Sequence, residues 1–157
     1  MNLRARALQY LARREYSRTE LRSKLLKYVQ RDVDAEFDAG QSQPVELDML
    51  LNDLAARGWL SDERAATQLV HTKRSRFGMQ RITHELRQKG IAEELIDAAL
   101  PALKKSELEA AREVWKKKFG VPPQDQKEKA RQMRFLQSRG FSLDAIFKVL
   151  KLAEACE

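Results

Sequence analysis

The sequence predicts an all-α fold of short helices arranged as tandem repeats, and three observations carry that prediction. Apolar residues recur at i, i+3, i+4 and i+7 through most of the chain, no stretch sustains the apolar and polar alternation of a half-buried strand, and one local pattern returns four times. The segments Leu8 to Tyr16, Leu51 to Trp59, Thr83 to Ile91 and Met133 to Phe141 share an order. Each has a leucine (Leu11, Leu54, Leu86, Leu136), two spacers, a base and a glycine, then a large apolar residue; Glu15 replaces the glycine in the first. Two helices joined in this way expose one apolar seam that neither can bury alone, so neighbouring units must stack. The expected architecture is an elongated, curved array of three three-helix repeats, residues 1–60, 61–103 and 104–157.

The elements follow in order. Leu3, Ala7, Leu8, Leu11 and Ala12 predict a helix over 3–14. Ser17 and Glu20 have the spacing of a capping box for a second helix, with Leu21, Leu25, Leu26 and Val29 on its inner face. Residues 31–44 break the pattern with Asp32, Asp34, Glu36, Asp38, Gly40 and Pro44, and read as a long acidic connection. Helical spacing resumes from Val45 through Leu47, Leu50, Leu51 and Leu54, and ends at Gly58, a natural left-handed cap. Ser61 caps the next helix, whose first turn holds Asp62 and Glu63; it runs to about Phe77 and is closed by Gly78. Residues 80–89 form a short helix ending at Gly90. Residues 92–100 form another that Pro101 stops or kinks, and a separate helix covers about 105–119. The last pair spans about 126–139 and 142–154, with Ser142 as cap.

The chain has 157 residues and a formal charge of +7. That balance favours nucleic acid, an anionic surface or an acidic protein. Its distribution says more. Residues 1–31 carry nine bases against two acids, residues 32–72 two against nine, residues 73–105 eight against four, and residues 106–157 eleven against eight. The alternation suits a partner offering both signs of charge. Cys156 is the single cysteine, so no intramolecular disulfide forms and a reducing cytoplasm is expected. No apolar run approaches the roughly 20 residues of a membrane helix.

Nothing in the sequence composes a catalytic or metal centre. His71 and His84 fall on different predicted helices without His or Cys neighbours at ligand spacing, and the six glycines are scattered singly, so no phosphate loop exists. Asp62 and Glu63 read as dipole-matched capping residues rather than paired acids, because adjacent helical positions diverge by about 100°. No cofactor is expected. Tyr16, Trp59 and Phe141, recurring at one repeat position, read as packing anchors between helices, together with Ile91 and the turn glycines Gly58, Gly78, Gly90 and Gly140. Two basic clusters are the candidate partner-binding residues: Arg4, Arg6, Arg13, Arg14, Arg18 and Arg22, and then Lys73, Arg74, Arg76, Arg81, Arg87 and Lys89. Arginine, whose planar fork matches carboxylate or phosphate, dominates the first.

Certain runs, taken in order, resemble a known family. These are Tyr16-Ser17-Arg18-Thr19-Glu20-Leu21 with Lys24-Leu25, Gly58-Trp59-Leu60-Ser61-Asp62-Glu63-Arg64, Arg74 to Gly78 leading into Arg81-Ile82 and Glu85-Leu86, Lys89-Gly90-Ile91, and Phe135-Leu136 with Arg139-Gly140-Phe141. The chain is similar over nearly its whole length to the RecX regulators of the RecA recombinase. Ser61, where the family often has an acid, and Glu15, in place of a glycine, depart from its pattern. The resemblance implies a cytoplasmic, non-enzymatic protein that lies in the groove of the RecA filament on single-stranded DNA. It would touch neighbouring protomers there and restrain filament extension, ATP hydrolysis, strand exchange and coprotease activity. The array needs no second copy to bury its seams, so a monomer is expected. A different reading of the same residues is a free-standing DNA binder using its helix-Gly-helix units like helix-turn-helix motifs, with direct DNA affinity of its own.

Overall fold

The helices begin where the sequence supplies caps. Ser17 and Glu20 form the reciprocal pair: the Ser17 N–H donates to Glu20 Oε1 at 3.2 Å and the Glu20 N–H donates to Ser17 Oγ at 3.1 Å. Ser61 Oγ accepts from the Arg64 N–H, Asp125 from the Glu128 N–H and Ser142 Oγ from the Ala145 N–H, each three positions on. These starts belong to a computed structural model that describes residues 2–33 and 43–155. Its described residues hold eight α-helices and no strand: α1 (Leu3–Arg13), α2 (Arg18–Val33), α3 (Gln43–Ala56), α4 (Asp62–Lys73), α5 (Met79–Gln88), α6 (Glu93–Lys118), α7 (Gln126–Ser138) and α8 (Leu143–Ala155).

The all-α prediction holds, with three corrections. First, α6 is one continuous helix of 26 residues through Pro101, where two helices were expected. Proline removes the hydrogen bond to the carbonyl of Asp97, but both residues face solvent, where water can take that carbonyl, while Ile96 and Leu103 are buried along the same helix. Burial outweighs the local break. Second, α4 ends at Lys73 rather than near Phe77. The chain then tightens, with the Arg76 and Phe77 N–H groups both donating to the Lys73 carbonyl at 3.0 Å, so Arg74 to Phe77 form a turn. Third, α2 reaches Val33 and α3 begins at Gln43, which puts Pro44 in a first turn, where a missing N–H costs little. The rest of the expected acidic connection, and Cys156, lie outside the described residues.

Two compact units divide the chain. One comprises Met1–Ala66 with Lys89–Ile91, the other Thr67–Gln88 with Ala92–Glu157. In the first, Leu21 and Leu25 of α2 and Leu47, Leu51 and Leu54 of α3 close over Ala7 of α1, with Tyr16 and Leu60 completing the core. In the second, Ala110, Ala111 and Trp115 of α6 meet Leu136 of α7 and Ile146, Val149 and Leu150 of α8, with Phe141 wedged between the last two helices. Trp115 Nε1 donates to Gln132 Oε1 at 2.8 Å, and Gln132 Nε2 donates in turn to the Val121 carbonyl at 3.1 Å, so this buried amide is satisfied on both ends.

The repeated joints obey one rule, which differs from the expected one by a residue. After α3 and after α7 the chain makes the same paired bond. The glycine N–H donates three residues back (Gly58 to Ala55, Gly140 to Gln137), and the following N–H donates five back (Trp59 to Leu54, Phe141 to Leu136). Both glycines have positive φ, +77° and +87°. The buried plug, however, is the residue just before the next helix cap: Tyr16 before Ser17, Leu60 before Ser61, Ile91 before Ala92 and Phe141 before Ser142. Trp59 is therefore not an anchor. It is 45% exposed, while Leu60 is 4% exposed, because this joint has one more residue between glycine and cap than the others.

Gly78 serves a different purpose from a left-handed cap. A Cβ there would collide with the Gly140 carbonyl and the Phe141 nitrogen, since the two loops touch backbone to backbone. The Gly78 N–H donates to the Arg139 carbonyl at 2.8 Å and the Gln80 N–H to the Gly140 carbonyl at 3.2 Å. Gly140 meets Arg81 equally closely, so glycine is needed on both sides of this crossing.

Candidate basic interface

The first basic cluster is largely consumed within its own unit. Arg4 pairs with Asp53 at 2.6 Å, Arg22 with Asp48 at 3.1 Å and Arg14 with Glu20 at 2.9 Å, and Arg18 donates to Asn52 Oδ1 at 2.7 Å. Arg6 lies 3.4 Å from the centre of the Tyr28 ring. Arg6, Arg13 and Arg18 make no ion pair among the described residues, and Arg13 is the one of the three that also lacks a ring or side-chain hydrogen-bond partner there. Two of the three acids that answer these arginines, Asp48 and Asp53, sit on α3 and the third, Glu20, on α2, so the acidic second segment neutralises part of the basic first one. The backbone is drawn into the same scheme: the Arg18 N–H at the start of α2 donates to Asp62 Oδ1 at 2.7 Å, and Arg64 bonds both Glu15 and the Gly58 carbonyl. Asp62 thus caps a helix other than its own.

Glu20 is the most constrained carboxylate of this unit. Burial pushes its pKa up, but the Arg14 guanidinium, the Ser17 N–H and the Lys89 ammonium at 3.5 Å outweigh burial and hold it below the ordinary glutamate range. Ser17 Oγ, fully buried, donates to the Lys89 carbonyl at 2.6 Å and ties the 89–91 segment to the start of α2. Thr19 packs so tightly on Gly90, whose φ is +74°, that no side chain fits there. Asp53 is likewise held low by its bonds from Arg4 and Arg57.

The second cluster is divided by the structure rather than gathered. Lys73 and Arg81 share Glu85, at 3.0 and 3.8 Å; Arg87 pairs with Glu93 at 2.7 Å; Lys89 belongs to Glu20. The Arg87 bond and charge hold the Glu93 pKa low. Arg74 and Arg76 remain, both exposed on the turn after α4 and outside any ion pair among the described residues. They line a cleft of 720 Å³ together with Lys105 and Lys117 of α6. An adjoining hollow of 300 Å³ shares Arg76 and Lys117 and adds Lys118 and Arg139. Glu109 and Glu113 of α6 lie in the same floor, with Ser75, Ser106 and small apolar residues between the charges.

Sequence reasoning missed Lys105, Lys117 and Arg139. The signal lay in α6: Lys105, Glu109, Glu113 and Lys117 follow at intervals of four, one exposed stripe that falls wholly within the helix expected over 105–119, but its mixed charges do not form the all-basic run that marked the two clusters. His71 and His84 are exposed on α4 and α5, and among the described residues no group of three or more His, Cys, Asp or Glu could hold a metal ion. No described helix is long and apolar enough to cross a membrane.

Comparison with known proteins decides the family. The model of the second three-helix domain of RecX matches residues 61–100 and that of the third matches residues 105–150. Regulatory protein RecX of Leptothrix cholodnii is 46% identical over 154 residues, covering 98% of this chain and 90% of the relative. The chain belongs to the RecX family. Regulatory protein RecX of Chromobacterium violaceum is 43% identical, covering 95% of this chain and 89% of its own. The crystal structure of RecX from Lactobacillus salivarius superposes with a TM-score of 0.68 at 22% identity over 98% of this chain and 95% of that one, which establishes that the all-helical RecX fold is shared. The matched third domain contains Lys105 and Lys117, and the matched second domain contains Arg74 and Arg76.

Proposed function

We propose that this chain regulates the RecA recombinase by binding in the groove of its filament on single-stranded DNA and restraining filament extension, ATP hydrolysis, strand exchange and coprotease activity. The observation that carries this reading is the likeness, at 46% identity over 98% of the chain, to a protein named for regulation. It agrees with what the side chains offer. The described residues present binding surface with both signs of charge, which suits a ligand of the recombinase, and the proposed role is regulatory rather than enzymatic. Its three repeats, 1–60, 61–103 and 104–157, are the units that contact successive protomers, in the cytoplasm, as a monomer.

The mechanism is steric and electrostatic. A helical array bridging protomers blocks addition of the next one and occupies space that a second DNA or a cleavage substrate would use. ATP belongs to the partner. The test adds the purified protein to preformed RecA filaments and follows ATP hydrolysis, with RecA-free DNA binding measured in parallel. Inhibition near one protein per several protomers is the expected result. No effect at equimolar protein, combined with tight, salt-sensitive binding to duplex DNA alone, would replace this reading with that of an autonomous helix-turn-helix-like DNA binder.

A further inference from the structure

The cleft between the α4–α5 turn and α6 is the feature that the intramolecular ion pairs leave unspent. Its volume of 720 Å³ falls within the roughly 300–1,000 Å³ of ligand-binding clefts. Four cations line it, Arg74 and Arg76 on one wall and Lys105 and Lys117 on the other, and no ion pair among the described residues satisfies any of them. We infer that this cleft receives an acidic segment of a protein partner, and that it is the contact through which the proposed regulator holds its filament; the inference rests on that reading of function.

Two features of the lining favour a peptide over a nucleic-acid strand. Glu109 and Glu113 lie in the cleft floor among the cations. A run of phosphates, charged at every nucleotide, would have to cross both carboxylates, whereas a peptide places carboxylates on Arg74, Arg76, Lys105 and Lys117 and neutral or basic residues over the two glutamates. The nearby rings, moreover, are already engaged by cations of the chain itself, with which a stacking base would have to compete. Arg81 sits 4.2 Å from the centre of Phe77 with Arg139 at 5.5 Å, and Phe135 has Arg139 at 5.2 Å, Lys118 at 5.3 Å and Phe119 packed edge-on at 5.5 Å. Aliphatic contact from Ala102, Ala110 and Val114 completes a surface suited to side chains.

The test uses the full chain and two charge reversals of equal size, Lys105→Glu/Lys117→Glu in the cleft and Lys127→Glu/Arg134→Glu on exposed positions of α7 outside it. Binding of fluorescein-labelled oligoglutamate and of labelled oligo-dT of matched charge is read by anisotropy, with thermal unfolding as a check that each variant folds. The cleft reversal should weaken oligoglutamate binding by about tenfold and the control reversal by far less. The Glu109→Gln/Glu113→Gln variant should tighten it. Equal loss in both reversals, or loss of oligo-dT alone in the cleft reversal, overturns the inference. Filament ATPase separates the two levels: if wild-type protein inhibits and the cleft reversal inhibits equally well, the cleft is not the contact though the function stands. If wild-type protein has no effect on RecA, the proposed function fails, and the oligoglutamate comparison still decides what the cleft binds.

Discussion

Single residues set the joints, and Leu60 with Trp59 makes the sharpest contrast. Leu60 is buried against α3, whereas Trp59 is half-exposed with the Arg57 guanidinium 5.3 Å from its ring. Leu60→Ala should cost about 2–5 kcal/mol in urea unfolding, as expected for a core leucine that leaves a cavity. Trp59→Ala should stay within about 1 kcal/mol, despite removing the larger side chain. A ranking in the opposite order would mean that the glycine, rather than the following cap, sets the position of the plug. Glu20 governs the acid side of stability. Its pKa is depressed in the folded state, so over the ordinary carboxylate range the unfolded chain binds a proton that the folded chain refuses. The stabilisation is full above the unfolded value and is lost as pH falls through the folded one. Melting temperature should therefore drop on acidification below about pH 4.5, and Glu20→Gln should lower the neutral-pH value while flattening that dependence. Aligning the joints on their serines instead of their glycines would have identified Leu60 from sequence; the sidedness of Glu20, which depends on Lys89 from far along the chain, had no local signal.

Helices were legible wherever the determinant was local. The capping box of α2 and the serine caps of α4 and α8 are short-range bonds between residues three apart, and the sequence pattern that announces them is the structure that forms. Ser17→Ala should cost about 1–2 kcal/mol, at the upper end for a cap because the buried hydroxyl also serves the Lys89 carbonyl. Ser61→Ala, whose hydroxyl makes only the cap bond among the described residues, should cost about half as much by the same thermal measurement. Pro101 shows the limit of local reasoning. As a helix breaker it divides the sequence pattern in two, yet the buried face that runs from Ile96 past Leu103 to Ala111 holds one helix across it. Pro101→Ala should raise the melting temperature, because the helix regains a bond to Asp97 and loses a ring clash worth up to about 3 kcal/mol, less the entropy that proline removes from the unfolded chain. A fall in melting temperature would instead mean that α6 is fitted to the proline.

Across the whole molecule, charge is arranged so that little of it is free where it is most abundant. Segment counts read from sequence made residues 1–31 the strongest candidate surface, nine bases against two acids, and missed that α3 would answer them. Ion pairing between distant segments is a tertiary property that composition does not reveal; the same holds for the cleft, where α6 brings Lys105 and Lys117 beside a turn some thirty residues earlier. One consequence is measurable. Asp48→Asn with Asp53→Asn removes the partners of Arg22, Arg4 and Arg57, all of them in exposed pairs. Such pairs add little to stability, so unfolding should change hardly at all. Released from them, three arginines gain the freedom to meet polyanions. Binding to oligo-dT, measured by anisotropy from low to moderate salt, should become tighter and more steeply salt-dependent than in the unsubstituted chain, because each newly engaged phosphate releases a counterion. An unchanged salt slope would mean that α1 and α2 are held away from polyanions by something other than the acids of α3.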